Sequence, residues 1–144
     1  MHAFSPVSYI VAVFAGALFV ALLLFSLDAV LVSGFHIEGL LLFLATGLVL
    51  GFLPGLPLML PVALASLWLA RRINSSSAGF AALAGAIGSA IMTSPLLLAQ
   101  PPISAPLFVA VFGAAGGVGG VIYFYMRKYE LSWMAKRAYS GAGD

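Results

Sequence analysis

Between Glu38 and Arg71 the chain carries no charged side chain, through the run "GLLLFLATGLVLGFLPGLPLMLPVALASLWLA". A stretch so long and apolar must be kept from water, and a bilayer core of roughly 30 Å takes about 20 such residues as helix. Three further runs reach that length, at about 7–27, 78–100 and 106–126. Composition argues the same way. The 144 residues are 63% hydrophobic and 7% charged, with a mean hydropathy of +1.17, whereas soluble domains are about a quarter charged. Too few polar side chains remain to cover a globule. The sequence therefore predicts an all-α integral membrane protein of one domain over 1–144. Its four transmembrane helices fall at about 7–27, 39–70, 78–100 and 106–126, the second long and proline-broken. Residues 127–144 form an interfacial tail. The opening "MHAFSPVSY" has no Lys or Arg and leads into a run too long for a signal-peptide core, so it reads as a retained first helix.

Charge placement gives the orientation. Arg71, Arg72, Arg127, Lys128, Lys136 and Arg137 are all the cationic residues, and they lie in the second loop and the tail. The first loop has Asp28, His36 and Glu38 without Lys or Arg. The positive-inside bias puts the second loop, the tail and hence both termini in the cytoplasm, at a cell membrane and most naturally a bacterial inner membrane. Tyr123, Tyr125, Tyr129 and Trp133 around Arg127 and Lys128 suit an interfacial belt. The net charge of +2 reflects scarcity of charge rather than a basic surface, so nucleic acid is not an expected partner. No cysteine is present, which removes disulfides and thiol chemistry.

The second run is too long for one straight crossing. Over 39–70 it is about 48 Å long at the usual rise, and "GFLPGLPLMLP" sets Pro54, Pro57 and Pro61 on one helical face. Each proline withholds a backbone donor, leaving the carbonyls of Leu50, Leu53 and Pro57 without their usual partners. A kinked crossing with an unwound turn near 53–57 is the favoured form. A short interfacial lead-in and a re-entrant hairpin of two half-helices are the alternatives. Broken helices also build transport sites, but polar side chains are missing at this depth.

Small residues mark the packing faces. Ala81, Gly85, Ser89 and Thr93 form an i, i+4 ladder in the third run, beside Ala78, Ala82, Ala86 and Ala90. "FGAAGGVGGV" in the fourth holds two G-x-x-x-G pairs, Gly113/Gly117 and Gly116/Gly120. The first run has Ala12/Gly16 and Ala17/Ala21. Such spacing lets backbones approach closely, a main source of helix association in lipid. The glycines lie inside a helix, with no strand before them, so they make no nucleotide loop.

Ionisable groups inside the membrane are few. Asp28 is the one candidate proton or ion carrier, if the first helix continues to Ser33; at a helix end it is an interfacial residue instead. His36 and Glu38 supply too few ligands for a metal, and neither His36 nor His2 lies within a crossing that could hold haem. No nucleophile–base arrangement or carboxylate pair is visible, so no catalytic residue, cofactor or metal is assigned. Ser26, Thr46, Ser66, Ser89, Thr93 and Ser94 are expected to bond back to their own helices, with Thr93 and Ser94 repairing bonds lost to Pro95. The expectation is a non-catalytic accessory, assembly or scaffold subunit. It would pack through its small-residue faces against other membrane protein subunits, with membrane lipids as its surroundings. A small oligomeric transporter or channel, lined by the broken second helix, is the alternative.

Overall fold

In the computed structural model, residues 4–34, 36–74, 77–97 and 105–140 are described, and nearly all of them are helical. Helix α1 spans Pro6–Asp28 and carries on as a wide π-helical turn over Ala29–Ser33. Its start is capped locally. Ser5 is extended, its hydroxyl oxygen accepts from the Ser8 amide at 3.2 Å, and Pro6 takes the first helical position, where a missing donor costs nothing. The helix ends at Gly34, with φ 70° and ψ −178°. That region belongs almost only to glycine, so Gly34→Ala is expected to cost about 1–2 kcal/mol in an unfolding titration, though no atom would meet the new Cβ.

After His36 the chain re-enters helix as α2, Ile37–Thr46, with Glu38 in the positive first turn. A six-residue π-helical turn, Gly47–Phe52, leads directly into α3, Leu53–Arg72. No residue between Ile37 and Arg72 leaves helical geometry. The expected unwound turn at 53–57 is thus absent, and so is the reversal that a re-entrant hairpin needs. The irregularity is instead a widened turn just before Pro54 and Pro57, where the helix loses amide donors, while Pro57 and Pro61 stay inside α3.

Helix α4 spans Ala78–Leu97, and its first turn is capped by the Ser77 hydroxyl, which accepts from the Phe80 amide at 3.1 Å. Residues 98–100, assigned to the third run, lie outside the described residues, as do His2 and 141–144. Helix α5 covers Ala105–Ser140, 36 residues. The stretch 127–140, expected as a separate tail, is therefore a continuation of the last helix. Three helical stretches are long and apolar enough to cross a membrane, Pro6–Leu31, Leu53–Arg72 and Val109–Arg137, while Ile37–Val49 and Ala78–Ser94 are apolar but shorter. The chain is a helical membrane protein.

The helices pack in antiparallel neighbours. Gly47 faces Ala21, Gly51 faces Ala17 and Gly55 faces Val13, so the α2–α3 run descends as α1 rises. Ser89 and Gly88 of α4 meet Met59 and Val62 of α3. Gly85 meets Gly116, and Gly120 meets Ala81, which joins α5 to α4. Gly16 against Ala115 and Gly119 against Ala12 close the ring between α1 and α5. The interior consists mainly of small residues, with Ala12, Ala17, Ala21 and Ala115 all buried. Backbone proximity takes the place that large side chains hold in a soluble core.

Candidate functional site

Two features stand out inside this ring, a polar clasp and a cavity. The clasp joins the start of α1 to α5. Ser5 and Ser8 lie one turn apart at the start of α1, and Arg127 and Glu130 one turn apart on α5. Both serine hydroxyls donate to Glu130 Oε1, each at 2.9 Å, and Arg127 Nη1 donates to Glu130 Oε2 at 3.0 Å. The Ser5 amide donates to the Tyr123 hydroxyl at 3.3 Å. Ser8 is wholly buried, while the Arg127 and Glu130 side chains are 12% and 22% exposed. With three donors on its two carboxylate oxygens, Glu130 ties the start of α1 to α5. The buried Arg127 Nε has no acceptor.

The cavity lies between the helices and holds about 430 Å³. Its walls are almost entirely apolar and come from α1, the α2–α3 run, α4 and α5. Arg127 lines it, as do Tyr9 and Tyr123. The Tyr9 hydroxyl donates to the Leu56 carbonyl, which ties α1 to α3 across one side of the cavity.

The residues singled out in sequence fall into three groups. Gly85, Ser89, Gly116 and Gly120 come together on the α4–α5 face. A Cβ at Gly116 would collide with the Ser89 hydroxyl and the Gly85 carbonyl, and one at Gly120 with the Ala81 carbonyl. A Cβ at Gly113 or Gly117 would lie 3.5–3.7 Å from Ala86 and Ala82, ordinary contact distances. Pro54, Pro57 and Pro61 follow the widened turn of the second run, and Gly51 and Gly55 beside them line the cavity. Asp28 stands apart. The first helix does continue to Ser33, so Asp28 falls inside the span Pro6–Leu31, but it does not line the cavity.

The hydroxyls mostly serve their own helices. Ser26 donates to Leu22, Ser66 to Val62 and Thr93 to Ser89, at 2.7–2.8 Å. Ser94 donates to the Ile91 carbonyl at 2.6 Å, which is the acceptor that Pro95 leaves without an amide. Among the described residues no three His, Asp or Glu side chains gather as a metal set.

The clasp was not foreseen. Its partners lie 122 and 125 positions apart, and the one available signal was polar spacing of i, i+3 at both ends of the chain. The Gly47, Gly51, Gly55 ladder has plain i, i+4 spacing, but the prolines beside it point equally to bending. Comparison of the chain with protein-family models, curated proteins and solved structures finds no match.

Proposed function

We propose that this protein is a four-crossing accessory or assembly subunit of a larger membrane complex, with both termini in the cytoplasm of a bacterial cell. The antiparallel ring is consistent with four crossings, and it gathers Arg71, Arg72, Arg127 and Lys128 at one end, as the charge bias requires. Trp68 and Trp133 are exposed beside Arg72 and Arg137, whose guanidinium carbons lie 5.2 and 3.7 Å from the ring centres. Such pairs suit an interface between lipid and water.

The observation that carries the reading is the coverage of α3. Only 6% of its apolar stretch is buried, against 28% for α1. The glycine faces of α4 and α5 are already taken up within the chain, so the partner contact moves from them to α3. There Leu53, Leu58, Leu64 and Trp68 are exposed. A photo-crosslinking residue at Leu58 or Leu64, activated in native membranes, is expected to give one defined protein adduct. Lipid adducts alone at both positions would refute the subunit reading.

The transporter alternative has one observation in its favour, since the α2–α3 run lines the cavity. Against it, an ion needs groups that replace its hydration, and these walls are apolar. Flux from purified protein in liposomes would reverse the preference.

A further inference from the structure

We infer that the interhelical cavity is a binding site for a single-chain anionic amphiphile, a fatty acid, with its chain along the bundle and its carboxylate at Arg127. This goes beyond the subunit reading and does not depend on it. Shape is the first argument. The lining runs along α1 from Tyr9 to Leu24, about 22 Å at the helical rise, or most of the roughly 30 Å hydrocarbon core. A volume of about 430 Å³ spread over that length is a narrow slot, within the usual range of ligand sites at roughly 300–1,000 Å³. An extended hydrocarbon chain fits a slot, whereas a compact polar solute would meet walls made of Ala17, Gly51, Ala63 and Phe112.

Charge is the second argument. Among the described residues, the one cationic side chain on the wall is Arg127, near the end where the clasp gathers. Arg127 spends Nη1 on Glu130, while Nε meets no acceptor. A buried donor without a partner is costly, and a guanidinium can engage a carboxylate along an edge with two parallel bonds. Rotation of the long side chain towards the slot would give its free edge that acceptor. A neutral chain would leave the demand unmet.

The test uses the full chain in phosphatidylcholine vesicles with stearic acid carrying a nitroxide on its chain. At a pH where the carboxyl is ionised, an immobilised component is expected in the spin-resonance spectrum. The acid should bind about tenfold tighter than its methyl ester, the factor that one charge-assisted hydrogen bond supplies. Ala63→Phe fills the slot and should abolish the component, while Arg127→Gln should bring acid and ester level. Equal binding of acid and ester by the unaltered protein, or no immobilised component, overturns the inference. So does a component that survives Ala63→Phe, since it would belong to lipid outside the bundle. Stronger competition by diacyl phosphatidic acid than by unlabelled stearate would replace the fatty acid with a phospholipid and also overturn it.

Discussion

Gly116→Ala is expected to destabilise the folded protein by about 3 kcal/mol, the upper part of the range for overpacking, whereas Gly117→Ala should change it by less than about 1 kcal/mol. The two glycines are adjacent in the chain and equally small, so only their surroundings distinguish them. At Gly116 the added methyl would collide with the Ser89 hydroxyl and with the Gly85 carbonyl. A carbonyl on a packed helix cannot step aside, so α4 and α5 must separate. Their whole contact then loosens, including Gly120 against Ala81. At Gly117 the same methyl would lie 3.5 Å from the Ala82 carbonyl and 3.7 Å from Ala86 Cβ, and alanine is the better helix former. Unfolding of both variants in mixed micelles, followed by circular dichroism, checks the difference. Equal stability would mean that α4 and α5 do not approach as described.

This contrast shows how far spacing alone reaches. Two overlapping G-x-x-x-G pairs were plain in the sequence, and both belong to the helix that packs on α4. Spacing could not rank them, because the crossing of two helices decides which small residues lie at closest approach. The helical membrane character was legible because apolar length and charge scarcity are composition facts that no tertiary arrangement can undo. The second run shows the opposite. Its prolines promised an unwound turn, and the chain instead widens over Gly47–Phe52 and stays helical to Arg72, keeping its backbone groups largely paired where water is absent. The extent of α5 was misjudged for a similar reason. Arg127, Lys128 and Glu130 end an apolar run, but charge does not end a helix, and good helix formers carry it on through Ser140. The cavity had no sequence signal, since it arises where four small-residue faces fail to close completely.

Glu130→Ala is expected to cost about 2 kcal/mol and to release the start of α1 from α5. The change strands three donors at once, the Ser5 and Ser8 hydroxyls and the Arg127 guanidinium. Removing one partner of a fully buried ion pair costs about 3–5 kcal/mol, and the figure here is set lower because Glu130 keeps 22% of its side-chain exposure. Glu130→Gln should be milder, since an amide oxygen can still accept from both serines, although its NH2 then faces Arg127 and the hydrogen bond and charge pairing there are lost. Ser8→Ala should fall between Glu130→Gln and no effect, because Ser5 and Arg127 would still hold the carboxylate. The clasp joins residues 5–8 to residues 127–130, so the defect should appear first at the chain start. A protease acting on vesicles that expose this end should cut before Tyr9 in Glu130→Ala at a protease level that leaves the unaltered protein whole. If alanine and glutamine at position 130 prove equally benign, the hydrogen bonds gathered there hold nothing together. The start of α1 would then be held to α5 by the Ser5–Tyr123 hydrogen bond and the glycine contacts of the two helices.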